Sequence, residues 1–244
     1  MMKLYEADNH ILICNQQREP AEHRHMAAHI IVSMNDNIKI KAENETCFCN
    51  GVMIPARVSH FVETYEQPVL VFLYDGTTNV AREIKTLQAL SESTCKRIAG
   101  FYEEFENNKE VNAYSDFEKQ FLKQLGITAS RNCVTDERIF YAMEYIRSMP
   151  FEQISCQDVA DAVYLSQGRF SHLFKEQTGM TFVSYLVYQR ILYAYREILK
   201  GKTITQAALE AGFASAAHFA DVNRRVFGLS AGSIVQDLLF TKIS

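Results

Sequence analysis

The chain has 244 residues, of which 48 % are hydrophobic and 22 % charged, and this globular composition excludes collagen-like and disordered chains. The formal net charge is −4. Residues 1–130 contain 13 Lys and Arg against 18 Asp and Glu, whereas the residues from Arg131 onward contain 12 against 11, so charge alone does not indicate nucleic-acid binding. The first residues lack a basic segment followed by an apolar one, and no run of 18 apolar residues occurs, so we expect a cytoplasmic protein without a signal peptide or a membrane partner.

The first 76 residues have the alternating, β-branched pattern of short strands. Strand-like segments are HILICN, HIIVSM, NIKIKA and VLVFLYD, and the breaks at 35–37 and 49–51 are typical of hairpin turns. Six to eight such strands predict a small antiparallel barrel or sandwich, and a barrel of this size can enclose one small ligand.

Several histidines lie in this predicted sheet region. In HRHMAAH, the side chains of His23, His25 and His29 share one face of a strand, and His60 ends the later segment GVMIPARVSH. This order resembles the cupin barrel motif, although His29 stands at the usual glutamate position and the glycine that follows the proline is missing. The resemblance implies a small cupin-like sensor barrel over 1–76 with a ligand site at these histidines.

Two kinds of ligand fit this set of imidazoles. A divalent transition metal such as Zn, Ni, Cu or Fe(II) is held by three or four imidazole nitrogens. Alternatively, the histidines hydrogen-bond a small organic effector or each other, without a metal. The six cysteines form no C-x-x-C pair, which favours reduced thiols in a cytosol, and Cys47 and Cys49 either add thiolates on one strand face or are small core residues.

The pattern changes to helical after YDGTTNV, and we expect a helical linker over 77–130. Thr77 or Thr78 caps a first predicted helix, whose apolar residues are Val80, Ile84, Leu87 and Leu90. Further helices are predicted at about 92–106 and 112–125, before a linker at 127–133. Because these helices lie between the sheet region and the C-terminal part of the chain, we expect them to form a homodimer contact at about 78–126.

From Thr135 onward every segment reads as helix. A first helix begins near Asp136 and ends before Pro150, and SCQD at 155–158 is a capping box. Another helix runs from the cap Ser166 to Gly179, and a long one fills 182–200. Short helices start near Thr205, Ser215 and Ser230.

Two stretches of this helical region match at an offset of 49 residues. SQGRFSHLFKEQTGMT begins at Ser166 and SAAHFADVNRRVFGLS at Ser215, and both have Phe at +4, Gly at +13 and a hydroxyl at +15. A short alanine-containing helix precedes each, and Ala160 and Ala208 let two helices cross closely. This order of elements is the helix-turn-helix plan. A rigid helix at 182–200 between two copies would set their reading helices about 34 Å apart, one turn of DNA.

These residues resemble the AraC family of transcription regulators over about 135–238. The segments that carry the resemblance are VADAVYLSQGRFSHLFKEQTGMTFVSYLVYQRI and ITQAALEAGFASAAHFADVNRRVFG. The resemblance implies an α+β protein with an N-terminal cupin-like barrel and an all-α tandem helix-turn-helix domain over 131–244. It also implies binding to double-stranded DNA that a small molecule or metal in the barrel modulates.

The candidate DNA contacts derive from that resemblance and from side-chain chemistry. The base-facing positions of the first reading helix fall on Gly168, Ser171 and His172, and Gln167 and Arg169 can pair with adenine and guanine. The alternative for each single residue is an ordinary solvated helix face. The predicted DNA-contacting set is Ser166, Gln167, Gly168, Arg169, Ser171, His172, Lys175, Ser215, His218, Arg224 and Arg225.

The second copy departs from the family pattern. Ala216, Ala217 and Asp221 stand where base-reading polar groups are usual, and alanine can contact only a thymine methyl. Asn223 replaces an aromatic residue that is normally buried, and the Pro and Arg usual after the last glycine are missing. We therefore predict that the first unit reads sequence and that the second mainly anchors on phosphates.

Two other kinds of protein remain as alternatives. The first is a metal-dependent cupin enzyme with a degenerate helix-turn-helix tail, although no P-loop, Ser-His-Asp order or paired acid motif indicates other catalysis. The second is an interaction module whose second unit binds RNA polymerase. The tandem repeat favours the regulator, because an enzyme does not need it.

Overall fold

The computed structural model describes residues 2–7, 9–15, 22, 24, 26–42, 45–76, 78–108, 110, 113–128, 134–151, 154–227 and 238–242. The chain divides into two compact units. The first contains Met1–Ala129 and Asp237–Ser244, and the second contains Ser130–Gln236. The helices of the described residues are too short or too polar to span a membrane.

The first unit contains two sheets. The larger sheet has the strand order β10-β1-β2-β8-β3-β6-β9, and the smaller has the order β5-β4-β7. Their strands are β1 (Met2–Glu6), β2 (His10–Asn15), β3 (Ala27–Ser33), β4 (Ile38–Ala42), β5 (Glu45–Cys49), β6 (Gly51–Ile54), β7 (His60–Glu63), β8 (Val69–Asp75), β9 (Gln88–Leu90) and β10 (Leu238–Lys242).

The expectation of a closed cupin-like barrel is wrong for the described residues. The two sheets are separate, and their pairing ends at β10 and β9 in one and at β5 and β7 in the other. A barrel would need these edge strands to pair with each other. The sandwich alternative agrees better, because every residue of β3 is buried, as in a strand covered on both faces.

The helices of the first unit are α1 (Asn79–Glu83), α2 (Glu92–Asn107) and α3 (Ala113–Gln124). The last two confirm the predicted helices at about 92–106 and 112–125. The first begins at the predicted cap Thr78, but it does not extend to Leu90. Leu90 instead pairs with Gly51 in the sheet, a long-range pairing that the helical spacing of Ile84, Leu87 and Leu90 does not indicate.

Helices α2 and α3 cover one face of the large sheet. Phe121 stacks on Phe72 of β8, with ring centroids 3.8 Å apart, and Phe117 lies beside both. Tyr102 and Tyr114 belong to the same buried cluster. These helices therefore contribute their apolar faces to the core of the first unit, and the proposed homodimer contact at 78–126 stays a prediction.

The second unit is helical. Its elements are α4 (Glu137–Ser148), α5 (Cys156–Ala162), α6 (Gln167–Thr178), α7 (Phe182–Leu199), α8 (Ile204–Glu210) and α9 (Ala216–Phe227). The capping box at Ser155 and Asp158 is confirmed, as are the cap Ser166 and the left-handed Gly179 that ends α6. The helix expected near Thr205 begins after the cap Thr203.

The C-terminal end of the chain differs from the expectation. Leu238–Lys242, which was expected to belong to the helical domain, is a strand that pairs in parallel with β1 of the first unit. The helix expected at Ser230 lies outside the described residues.

Candidate nucleic-acid interface and sensor site

The second unit contains two helix pairs whose turns are closed by the same backbone hydrogen bond. In the pair α5 and α6, the Leu165 amide donates to the Ala160 carbonyl at 2.9 Å. In the pair α8 and α9, the Phe213 amide donates to the Ala208 carbonyl at 3.0 Å. Both alanines are fully buried, as expected for helices that cross closely. The predicted helix-turn-helix repeat is therefore present in the backbone.

The two turns place different residues in the same left-handed conformation. Four residues after the buried alanine, Tyr164 has a φ of 57° and Gly212 has a φ of 79°. Glycine adopts this conformation without strain, whereas a tyrosine does not. Tyr164 is also 96 % exposed, two residues before Ser166, the cap of α6. This residue was not predicted as a site residue, because no local pattern predicts a left-handed tyrosine.

Helix α6 has the predicted division between an inner and an outer face. Phe170, Leu173 and Phe174 are buried, and Phe174 meets the ring of Tyr185 on α7 at 5.3 Å. Phe182 packs on Phe170 at 5.5 Å. The predicted DNA-contacting side of α6 is exposed, and it comprises Gln167, Gly168, Arg169, Ser171, His172 and Lys175.

Local contacts orient part of this exposed face. The Ser166 hydroxyl caps α6 by accepting from the Arg169 amide, and it can still donate to a phosphate. The Ser171 hydroxyl lies 3.5 Å from the Cys156 sulfur of α5. A Cβ on Gly168 would meet nothing within 4 Å, so the backbone there is open to close approach.

Helix α9 has the same fold with a different core contact. Phe219 is fully buried and packs on Phe213 and Tyr195, with ring centroids 5.3 and 5.8 Å apart. Asn223, at the position that matches Phe174, is also fully buried. Its Oδ1 accepts a hydrogen bond of 2.7 Å from the Tyr195 hydroxyl, so a polar pair replaces the aromatic contact of the first helix pair.

The outer face of α9 is partly neutralised. The Arg225 guanidinium forms an ion pair of 2.5 Å with Asp221, which was not predicted from the sequence. Arg224 is exposed, and Ser215 caps the helix by accepting from the His218 amide at 3.0 Å. The His218 Nδ1 accepts from the Ala214 amide at 3.2 Å, so its Nε2 carries the proton in the neutral ring and can donate outward.

An acidic cap precedes the first helix pair. Asp136 caps α4 and accepts from Arg138 through Nε at 3.0 Å and Nη2 at 2.7 Å. These bonds, with a smaller contribution from Arg169, lower the pKa of Asp136 to about 2. The carboxylate is therefore charged at neutral pH, close to α6.

In the first unit, two of the four predicted ligand histidines are described. His29 of β3 and His60 of β7 are both buried, and their ring centroids are 5.2 Å apart, between the two sheets. The His60 Nδ1 lies 2.9 Å from the Val58 carbonyl, to which it can donate. His23 and His25 lie outside the described residues. Among the residues that are described, no group of three or more His, Cys, Asp or Glu converges as a metal site.

A third buried histidine was not predicted as a site residue. His10 of β2 is fully buried, stacks on Tyr74 at 4.4 Å and lies 2.5 Å from the Tyr114 hydroxyl. Its Nδ1 is 3.5 Å from a carboxylate oxygen of Glu118 on α3. The cluster connects the sheet to α3. The sequence could not indicate it, because His10 lies 64 residues before Tyr74 and 104 before Tyr114.

Comparison with known proteins gives both family and fold matches. Residues 159–236 match a protein-family model described as a helix-turn-helix domain. The HTH-type transcriptional activator RhaS of Enterobacter sp. (strain 638) is 29 % identical over 141 residues, which cover 55 % of this chain and 50 % of RhaS. The probable transcriptional regulator LumQ of Photobacterium leiognathi is 32 % identical over 87 residues, 35 % of each chain. The chain thus spans about half, or less, of the length of these curated relatives.

The fold of the whole chain is similar to that of ToxT from Vibrio cholerae. One ToxT structure matches with a TM-score of 0.50 at 12 % identity, covering 93 % of this chain and 98 % of ToxT. Another, of wild-type ToxT bound to an unsaturated fatty acid, matches with the same TM-score at 13 % identity, covering 96 % of this chain and 94 % of that one. At this identity the likeness concerns the fold alone.

Proposed function

We propose that the protein is a sequence-specific DNA-binding transcription regulator of the AraC type, because residues 159–236 match a helix-turn-helix domain and the similar RhaS is an HTH-type transcriptional activator. The first unit is proposed to bind a small effector that modulates DNA binding. The relatives favour this function over the alternative of a metal-dependent cupin enzyme, since RhaS and LumQ are named as an activator and a probable regulator of transcription.

One observation carries the proposal, namely that α6 buries its apolar side and exposes a polar face. Arg169, His172 and Lys175 extend from it, and the helix is held from behind by Phe170 and Phe174. A helix supported in this way can enter a major groove with its N-terminal half, where arginine recognises guanine. The described residues of this face include no large apolar side chain that would indicate a protein partner instead.

The two units of the repeat have different proposed tasks. We assign base reading to α6, because it offers glutamine, arginine and histidine side chains. Helix α9 offers Ala216 and Ala217 at the matching positions, and its Arg225 is paired with Asp221. Ser215, His218 and Arg224 suit phosphate oxygens. Arg225 does too, because a phosphate can compete with the exposed Asp221 for its guanidinium, so α9 mainly anchors the domain.

The effector site is proposed to lie between the two sheets of the first unit, at His29 and His60. Their buried rings meet edge to face between the sheets, and imidazole suits either an organic acid or a divalent transition metal. ToxT, which has a similar fold, is described as bound to an unsaturated fatty acid, which makes an apolar acid a first compound to test. A homodimer and a contact with RNA polymerase are further proposals of the same function.

Selection of binding sites from random double-stranded DNA by the purified full chain tests the function. We expect an enriched motif, and a mobility shift on that motif that survives excess unrelated DNA. Arg169→Ala should weaken enrichment at one base pair, whereas Lys41→Ala, an exposed lysine of β4 paired with Glu22, should leave the motif and affinity unchanged. Failure to enrich any motif, with only salt-sensitive binding equal on all DNA, would overturn the proposal.

The proposed effector site is tested by measuring how candidate ligands change the affinity for DNA. The affinity of the full chain for the selected motif is compared without ligand, with an unsaturated fatty acid, and with Zn²⁺ or Ni²⁺. A change of several-fold that is lost in His60→Ala but kept in His218→Ala supports a site in the first unit. If each compound acts equally on both variants, the site does not lie at His60.

A further inference from the structure

A pair of thiols lies on one face of strand β5. Cys47 is half-buried and Cys49 is 8 % exposed, and both are free thiols. They alternate with Thr46 and Phe48, which are exposed on the opposite face. Because side chains two residues apart in a strand point the same way, the two sulfurs face the same side of the small sheet.

The spacing of the pair falls at the limit that a disulfide bond can span. Two residues of a strand advance by about 6.6–6.8 Å, and the Cα atoms of disulfide-bonded cysteines lie about 4.4–6.8 Å apart. Because their Cβ atoms point the same way, these atoms are also about 6.6–6.8 Å apart, against about 3.5–4.5 Å in a disulfide. A bond therefore needs the strand to bend between Cys47 and Cys49, bringing the Cβ atoms about 2–3 Å closer. Strand β5 can bend, because it is at the edge of its sheet and pairs with β4 alone among the described strands.

The thiol chemistry gives the two cysteines different tasks. Burial, together with the neighbouring Cys47 thiol to which Cys49 hydrogen-bonds, raises the pKa of Cys49 to about 12. Cys49 therefore keeps its proton, and the more accessible Cys47 is the thiol that an oxidant meets first. A third thiol, Cys95 of α2, is fully buried over Gly51, where an added Cβ would lie 2.8 Å from its sulfur.

We propose that Cys47 and Cys49 form a dithiol site that a hydroperoxide oxidises to a disulfide within β5. The Cys47 thiolate attacks one peroxide oxygen, the O–O bond breaks, and Cys47 becomes a sulfenic acid while hydroxide leaves. The Cys49 sulfur then attacks the Cys47 sulfur, the S–O bond breaks, and water leaves with the Cys49 proton. In total two thiols and one hydrogen peroxide give one disulfide and two waters.

The bond connects to the proposed effector site through the small sheet. Cys47 pairs with Ile40 of β4, and Ala42 of the same strand pairs with His60 of β7. Bending β5 thus acts on the strand that positions His60. A disulfide at the geometric limit is strained and readily reduced by thiols, which makes the modification reversible.

Peptide mapping of the oxidised full chain tests the proposal. After hydrogen peroxide treatment and alkylation, trypsin releases residues 42–57, which contain Cys47 and Cys49, separately from residues 86–96, which contain Cys95. We expect the 42–57 peptide to be unalkylated and about 2 Da lighter than its reduced form, and dithiothreitol to restore two alkylation sites. Cys14→Ser, which removes another half-buried thiol of the same unit, should give the same map.

Cys49→Ser isolates the first step, because it removes the second thiol with little change in size. In this variant we expect the Cys47 sulfenic acid to accumulate and to be trapped by dimedone. Two results in the wild-type chain would overturn the proposal. One is a Cys47 sulfinic acid beside an alkylatable Cys49, and the other is a cross-link between the 42–57 and 86–96 peptides.

Discussion

The two helix-turn-helix pairs have one backbone plan and two kinds of side-chain chemistry. Each begins with a capping box, at Ser155 and at Thr203, and in each a buried alanine carbonyl closes the turn. Each buries a phenylalanine, Phe170 or Phe219, at the same place in its second helix. They differ at several core positions, most strongly where Asn223 replaces Phe174, and over most of the exposed face. The framework therefore depends on caps, small residues and one aromatic anchor, and the remaining positions are free to serve different tasks.

The largest expected difference between the two helix pairs is the loss of stability on substituting a core residue of the second helix. Phe174→Ala removes an aromatic contact with Tyr185 and leaves a cavity, so it should lower the free energy of unfolding by about 3–5 kcal/mol. Asn223→Ala removes less volume and deprives the Tyr195 hydroxyl of its acceptor, with an expected loss of about 1–3 kcal/mol. Urea denaturation of the full chain, followed by circular dichroism, measures both. Equal losses would mean that the Asn223–Tyr195 pair and the Phe174–Tyr185 pair contribute equally to the free energy of unfolding.

Tyr195→Phe is the control for the second core. It removes the hydroxyl and keeps the ring that packs on Phe219. Its loss should therefore not exceed that of Asn223→Ala, since packing is retained. A larger loss of unfolding free energy in Tyr195→Phe than in Asn223→Ala would mean that the Tyr195 hydroxyl stabilises the fold through more than its bond to Asn223.

The second contrast concerns DNA recognition. Arg169→Ala should lose about 1–3 kcal/mol of discrimination at one base pair, because arginine on α6 is the side chain that suits guanine. Arg225→Ala should weaken all sequences alike and reduce the salt slope by about 1, the value for one phosphate contact. Quantitative binding to a library of single-base variants of the selected motif, at several salt concentrations, separates the two effects.

Asp221→Ala is the matched test of the ion pair on α9. Freed from Asp221, Arg225 should bind phosphate better and raise affinity for every sequence. If Arg225→Ala instead removes the preference at one base pair, the division between a reading helix and an anchoring helix is wrong.

The two helix pairs also differ in the residue that adopts the left-handed conformation in the turn, which is Tyr164 in the first and Gly212 in the second. Tyr164→Gly should raise the free energy of unfolding by about 0.5–1 kcal/mol, because glycine adopts the left-handed conformation without strain. Gly212→Ala should lower it by about 1–2 kcal/mol, since an added Cβ is strained there and lies 3.3 Å from the Phe151 Cβ. Tyr164→Ala keeps the strained Cβ and should change stability little. A stabilisation by alanine equal to that by glycine would assign the effect to the exposed ring.

The parts of the fold that the sequence could predict depend on neighbouring residues. The caps Ser155 and Ser166 and the glycine stop at Gly179 are signalled within a few positions, and all were found where expected. The helix-turn-helix repeat can be predicted by comparing the two stretches that begin at Ser166 and Ser215. The inward set Phe170, Leu173 and Phe174 was predicted from helical spacing.

The parts that it could not predict depend on residues far apart in the chain. Leu90 fits the spacing of a helix, but pairing with Gly51 draws it into a strand. The unusual Asn223 was recognised, whereas its partner Tyr195, 28 residues earlier, was not. The pairing of Leu238–Lys242 with β1 and the separation of the two sheets are likewise long-range outcomes, so the closed barrel was wrong.

The smallest expected contrast is the response to acid. The Arg138 guanidinium lowers the pKa of Asp136 from its ordinary 3.8 to about 2, so the charged cap stabilises the folded chain above about pH 4. This contribution should be lost as the pH falls from about 4 through 2, and it should be small because the ion pair with Arg138 lies at the surface and is screened by solvent. Asp136→Asn keeps a capping side chain, so the urea midpoint at pH 7 should change little while its decline toward pH 3 becomes shallower. Thr203, which caps the first helix of the second pair, does not titrate, and Thr203→Ser should leave that decline unchanged. An equally steep decline in Asp136→Asn would assign the acid sensitivity to other carboxylates, such as Glu197, whose pKa is lowered by its hydrogen bonds with Lys200 and Lys202.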